Sequence, residues 1–264
     1  MRAFAIAPLL LVTSCASSCG DNDPAWSKTP AGGVQGDGTV AGAPASVKRA
    51  SAAPVIDGKL DDAAWSGATV LGPFVEPGSG AAPSGSPVEG FAKVLWDDQK
   101  LYLGFVVRDG WPSAPFGRED QDPHLWEQSS AVEIMLQPGD PGDNRGYYEL
   151  QVDTRGAVFD TAWDDYNVPI TEKDGAKAFG HMEWSGNLER AAFVQSGSFY
   201  SVEVAMPWSA LKPARTAVPP KTGDVWRLDL YSFRDGQRYA LAWSPIRGQG
   251  NFHRSTRFGR VRFE

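Results

Sequence analysis

The sequence predicts an all-β chain folded as an antiparallel, jelly-roll-like β-sandwich with one or two short helical turns, and three observations carry that expectation. From Val47 onward the apolar residues recur with period two far more often than with period 3.6, the mark of strands with one buried face. The alternating runs are short and are separated by turn signals at intervals of about 8–12 residues, the spacing of sandwiches and barrels. Both cysteines, Cys15 and Cys19, lie near the start, so the folded part contains no disulfide and must rest on its hydrophobic core. A domain of about 220 residues buries enough surface for that.

The clearest alternations are Leu101, Leu103, Phe105 and Val107; Tyr200, Val202, Val204 and Met206; and Trp226, Leu228 and Leu230. Further strands are predicted near 88–96, 130–137, 146–153, 157–162, 178–183, 189–196, 239–243 and 257–263. Turns are expected at Asp97-Asp98, in the run from Pro138 to Asn144, at Arg155-Gly156, at Ser196-Gly197 and at Asp235-Gly236, the last a strong hairpin signal. Leu60–Ser66 is expected to make a turn or two of helix. Pro207–Leu211 is expected to make one, begun by a proline tolerated at a first helical position. Glu76–Pro87, rich in Pro, Gly and Ser, reads as a long surface loop.

The chain divides into three parts. Residues 1–14 carry Arg2 and then an apolar run too short to span a bilayer, the form of a secretory signal. The run ends Val12-Thr13-Ser14-Cys15, which looks like the lipobox of bacterial lipoproteins and makes Cys15 the expected lipid anchor; ordinary signal cleavage near Ala16–Ser18, or a lipid on Cys19, are the alternatives. Residues 15–45 combine that anchor with a stretch dense in Gly, Ala, Pro, Asp and Thr, a composition that suggests a flexible tether. Residues 46–264 form the sandwich. The expected location is therefore the bacterial cell envelope, outer membrane or periplasmic face. A net charge of −7 with no Lys/Arg run excludes nucleic acid as a natural partner and leaves membrane contact to the N-terminal lipid.

Candidate chemistry gathers on two predicted strands. In Ala131–Leu136 the apolar Val132, Ile134 and Leu136 share one face and leave Glu133 on the other. In Tyr147–Asp153, Tyr148, Leu150 and Val152 point inward while Tyr147, Glu149, Gln151 and Asp153 point outward. A short, turn-rich connection pairs the two strands antiparallel, which would place Glu133, Glu149 and Gln151 together on one solvent-facing surface. Such polar groups beside an aromatic face suit a sugar, whose C–H patches stack and whose vicinal hydroxyls pair with carboxylates and amides. Trp111, Trp126 and Trp163 sit among Gly, Pro, Asp and His and are candidates for exposure. Trp65, Trp96, Trp208 and Trp226 are expected in the core.

Four phrases occur in order: Ile56-Asp57-Gly58-Lys59-Leu60-Asp61-Asp62-Ala63-Ala64-Trp65, Trp96-Asp97-Asp98-Gln99-Lys100-Leu101-Tyr102-Leu103, Ala131-Val132-Glu133-Ile134-Met135-Leu136 and Tyr147-Tyr148-Glu149-Leu150-Gln151-Val152-Asp153. Together they resemble the family 9 carbohydrate-binding modules and the wider group of related sandwich domains. The resemblance implies the same sandwich fold and non-catalytic binding of glycan ends or short oligosaccharides. It assigns stacking to Trp126, hydroxyl binding to Glu133, Glu149 and Gln151, and a polar contact in the last loop to Asn251; Trp163 joins them as a candidate aromatic contact. The chain departs from the family pattern at Ala131, where an aspartate is frequent, and in the terminal loop, which offers Phe252 and His253 where a second tryptophan wall is expected.

That departure keeps open a second reading, an envelope interaction module without a sugar site. A glycosidase would need two carboxylates held across a cleft, and with 32 acidic residues some pair is inevitable. The isolated histidines and the cysteine-free domain argue against zinc, and no c-type attachment motif supports haem. No cofactor is expected beyond possible structural calcium at Asp120, Asp122, Asp160, Asp164 or Asp165, none of which falls in an EF-hand pattern.

Overall fold

Fourteen strands account for most of the alternating runs: β1 (Ala45–Arg49), β2 (Thr69–Leu71), β3 (Glu89–Trp96), β4 (Lys100–Arg108), β5 (Ala131–Gln137), β6 (Arg145–Asp153), β7 (Val158–Asp165), β8 (Ile170–Thr171), β9 (Lys177–Ala178), β10 (Glu189–Gln195), β11 (Phe199–Pro207), β12 (Val225–Arg234), β13 (Arg238–Ala242) and β14 (Gly259–Phe263). The computed structural model describes residues 22–264 apart from 86–87, 172–174, 213–214, 236–237 and 249. The expected signal segment and Cys15 lie outside the described residues, as does Gly236 of the expected hairpin turn. Helix is confined to α1 (Ala63–Ser66), α2 (Leu125–Gln128) and two 3-10 turns, Ala25–Ser27 and Trp208–Ala210.

The strands run in the order β10-β11-β4-β3-β1-β14-β12-β5-β6-β7, with β2 beside β3, β13 beside β12, and β8 with β9 as a separate pair. Pairing is antiparallel except at β1, whose first half lies parallel to β14 (Ala45 opposite Val261) and whose second half lies parallel to β3 (Lys48 opposite Leu95). This strand makes the corner at which one sheet passes into the other. The result is a curled mixed sheet folded into a sandwich. Its inner layer joins Leu103, Phe105, Val202 and Val204 of the first half to Ile134, Leu136, Leu150 and Leu230 of the second. Trp96, Trp208 and Trp226 pack edge to face around Phe263 in that core, and Trp65 is also buried.

Alternation leads one to expect an outer face in water, but both outer faces carry cover. Over the first sheet, Leu60 and Trp65 pack on Phe91, Leu95, Tyr102, Val106 and Phe199. Gly104 makes room for this, because a Cβ there would stand 2.7 Å from a methyl of Leu60. Here the Ile56–Trp65 phrase acquires its structural meaning. Fully buried Glu203 accepts the Asp57 N–H at 2.9 Å, the Gly58 N–H at 2.7 Å and the Trp65 indole N–H at 2.7 Å. Burial nonetheless pushes its carboxyl up to about 7.

Residues 22–44, inside the stretch whose composition suggests a tether, run along the sandwich. Trp26 meets Phe199 edge-on at 5.5 Å, Asp23 pairs with Arg108 at 2.9 Å, and Val34 bridges to the Val70–Gly72 segment and to the Trp243 indole. The strand expected at 178–183 is cut short after Ala178: Gly180 has φ +77°, and the chain turns so that the Trp184 N–H reaches the His181 carbonyl. Strands β1 and β2, not among those predicted, are short pieces paired alongside β3.

Candidate functional site

The outer face of the second sheet is built by β12, β5, β6 and β7 in register. Glu133 stands opposite Gln151 on one side and Tyr231 on the other, Glu149 opposite Thr161, and Tyr147 opposite Trp163. Period-two alternation therefore gathers Glu133, Glu149 and Gln151 as the sequence suggested. Their surroundings differ from the expectation. They are 1 %, 4 % and 1 % exposed, not solvent-facing, because α2 and the 242–258 segment fold over this face and bring Leu125, Ile246, Phe252 and Phe258 into a second apolar cluster with Met135, Tyr147 and Tyr231.

What the cover leaves open is a cleft of about 740 Å³, and all six candidate ligand-binding residues line it: Trp126, Glu133, Glu149, Gln151, Trp163 and Asn251. At its floor the Gln151 amide nitrogen donates to Glu133 Oε2 at 3.1 Å and to Glu149 Oε1 at 2.9 Å. The Trp163 indole N–H donates to Glu149 Oε2 at 2.9 Å. Trp163 is thus a buried positioning residue as well as part of the wall, and not the freely exposed ring the sequence left open. Glu133 Oε1, Gln151 Oε1 and Thr161 Oγ1 are buried without a hydrogen-bond partner. Buried oxygens of that kind cost stability unless something donates to them.

Burial, reinforced by Glu149 and Asp229, holds the Glu133 carboxyl well above the ordinary carboxylate range. Burial also raises Glu149, to about 7, against the opposing hydrogen bonds from Trp163 and Gln151. Burial thus disfavours ionising both carboxyls at once. Among the described residues neither carboxyl is paired with Arg or Lys, so the simple cross-strand salt bridge that would have made them structural is absent. His253 Nε2 lies 3.8 Å from Glu149 Oε2, but burial drives that imidazole down to about 3; it is neutral and the contact is dipolar.

Two aromatic groups frame the floor. Trp126, half-buried on α2, stacks on His124 at 4.3 Å and meets Phe159 edge-on at 4.6 Å. His253 stacks on Tyr166 at 3.9 Å, with Trp163 edge-on at 4.8 Å and the Tyr147 hydroxyl 2.9 Å from its Nδ1. Tyr166 and His253 thus form a second aromatic surface on the cleft, where the sequence offered no second tryptophan. Sequence reasoning had His253 in view as a departure but had no signal for Tyr166 or Phe159, since their roles come from contacts across many residues. Phe252 also lines the cleft, held by stacking on Tyr231 at 4.0 Å. Asn251 is exposed at the rim of the cleft, its Oδ1 accepting the His253 N–H at 3.2 Å. Trp111, 75 % exposed, lies away from the cleft lining.

The aspartates considered for calcium have other partners. Asp120 caps the Gly117 N–H, Asp160 accepts from Gly186 N and Ser185 Oγ, Asp164 pairs with His181, and Asp165 pairs with Arg145. Among the described residues no group of three or more His, Cys, Asp or Glu is placed to hold a metal ion, and no helix is long and apolar enough to cross a membrane.

Comparisons with known proteins point the same way. The family described as carbohydrate family 9 binding domain-like matches residues 56–264. Among solved structures, a family 9 module from Caldicellulosiruptor kristjanssonii in complex with cellotriose is similar, with a TM-score of 0.56 and 16% identity over 84% of this chain and 94% of that one. The same organism's module in complex with glucose gives 0.52 and 15% over 83% and 95%. A putative carbohydrate-binding protein from Bacteroides uniformis ATCC 8492 gives 0.63 and 18% over 83% and 98%. At these identities the likeness speaks for the fold. Comparison with curated proteins returns no match.

Proposed function

From the premise that this chain belongs to the carbohydrate family 9 binding domain-like family, we propose that the cleft over the second sheet binds glycan ends or short oligosaccharides without turning them over. The observation that carries the reading is the buried Glu133–Gln151–Glu149 floor with unpartnered oxygens beneath aromatic walls. A pyranose offers what the cleft lacks, hydroxyl donors for the floor and C–H faces for the rings of Trp126 and Tyr166. The two carboxyls lie side by side, joined by one amide, rather than set apart to flank a glycosidic bond.

Stacking on one or two rings with a few hydrogen bonds suits a Kd on the order of 10 μM to 1 mM. Calorimetry with glucose, cellotriose and a wider glycan panel tests this. Trp126→Ala is expected to weaken binding at least tenfold while Tm falls by only a few degrees. Silence across the panel from the folded protein would turn the reading toward an envelope interaction module.

We also propose that residues 1–14 direct export and that Cys15 carries the lipid holding the protein to the cell envelope, as the Val12-Thr13-Ser14-Cys15 sequence suggests. Cys15→Ser is expected to move the protein from the membrane to the soluble fraction and to abolish incorporation of labelled fatty acid; unchanged fractionation would refute the anchor.

A further inference from the structure

This inference rests on the carbohydrate reading and narrows it. A neutral sugar is equally rich in hydroxyl donors and acceptors, so a site selective for neutral sugars should present both. With its carboxyls ionised, the floor here presents an excess of acceptors. Both polar contacts of the Gln151 amide nitrogen are spent on Glu133 and Glu149, while Gln151 Oε1 and Glu133 Oε1 have no donor. A third buried carboxyl, Asp229 on β12, lies beneath and adds to the negative field at Glu133, although its own oxygens accept from Ser244 N, Leu230 N and the Tyr231 hydroxyl. No Arg or Lys lines the cleft among the described residues. Its two histidines bring no strong counter-charge: His253 is neutral, and exposed His124 is turned to Glu127. The walls are aromatic faces, which attract cations through their quadrupoles.

We infer that the cleft selects saccharides bearing a protonated amine, of the glucosamine class, over their neutral counterparts. The ammonium group supplies three donors to a floor of acceptors and supplies the positive charge that the protein withholds from Glu133 and Glu149. Its arrival favours the ionised carboxylates, so the proton held by the pair leaves to solvent as the amine binds. The titratable groups that face the pair are Asp229 and Tyr231 from β12, Tyr147 from β6 and His253 from the covering segment, with Asp165 and Tyr166, at the end of β7, acting on Tyr147.

Calorimetric titration of the whole chain with glucose, glucosamine and N-acetylglucosamine at pH 6.5, in buffers of different ionisation enthalpy, tests the inference. N-acetylglucosamine keeps the ring and removes the charge. Glucosamine is expected to bind at least tenfold more tightly than either neutral sugar and to release protons, where the neutral sugars release none. In Glu133→Gln and Glu149→Gln the ratio of glucosamine to glucose affinity is expected to fall at least fivefold and proton release on glucosamine binding to disappear, whatever the variants do to glucose affinity itself. Glucosamine binding within twofold of glucose, or without proton release, overturns the inference and leaves the carbohydrate reading standing. Absence of binding by every saccharide, charged or neutral, overturns that reading and this inference with it.

Discussion

The two outer faces of the sandwich each bury a glutamate against tryptophan, yet they do different things with it. On the first sheet Glu203 accepts two backbone N–H groups and the Trp65 indole, so both carboxylate oxygens are occupied and the loop from Asp57 to Trp65 is fastened to β11. On the second sheet Glu149 accepts the Trp163 indole and the Gln151 amide, but its neighbours Glu133 and Gln151 each keep an oxygen without a donor, and the cover above them is open. Burial raises the carboxyl in both places. Burial and a perturbed carboxyl therefore do not by themselves mark a binding site; incomplete satisfaction beneath a cleft does.

The sharpest way to break this comparison is Glu203→Ala, which strands the buried Gly58 N–H and Trp65 indole and the part-buried Asp57 N–H. It should cost about 3–5 kcal/mol, seen as a large fall in the urea midpoint, and leave saccharide affinity unchanged. An equally large loss from Glu133→Gln would erase the distinction.

Next in size is pH. The folded-state carboxyls of Glu149 and Glu203 sit near 7 against an ordinary 4.5, so each contributes stability that is full below about 4.5 and lost as pH rises through 7. Between pH 5 and 8 each of the two should withdraw about 2 kcal/mol of stability, followed by chemical denaturation. Glu149→Gln should flatten part of that slope. Asp23 and Asp143 have lowered values and act in the opposite sense, but only at more acid pH.

A smaller effect tests the first face alone. Trp26→Ala removes a partly buried ring from Phe193 and Phe199 and should cost about 1–2 kcal/mol, with calorimetric saccharide binding intact. Smallest in stability should be Glu133→Gln, within about 1 kcal/mol, since an isosteric neutral amide replaces a carboxyl whose charged form burial already disfavours.

What the sequence made legible follows from range. The alternation in Ala131–Leu136 and Tyr147–Asp153 fixed which side chains leave the inner core, and the short connection fixed their pairing, so Glu133, Glu149 and Gln151 were placed on one face from local pattern alone. That the face would be buried was not legible, because the cover comes from α2 and from residues about a hundred positions downstream, in loops without periodicity. The Tyr166–His253 wall was hidden for the same reason: two rings 87 positions apart in the numbering meet at 3.9 Å. Composition was also a partial guide before residue 45, where one tryptophan and one aspartate make contacts that an average over Gly, Ala and Pro conceals.

The corner strand has a consequence for how the molecule comes into being. Ala45–Val47 pairs with Val261–Phe263, and Val47 also accepts the N–H of Glu264. Nearly the whole described chain is thus enclosed between two partners, and no segment synthesised early can complete the seam between the sheets until the last strand has been delivered. Pairings of such sequence separation are slow to form. Until β14 is in place the two sheets can each pair internally but cannot join, so closure of the sandwich is a late event in its assembly.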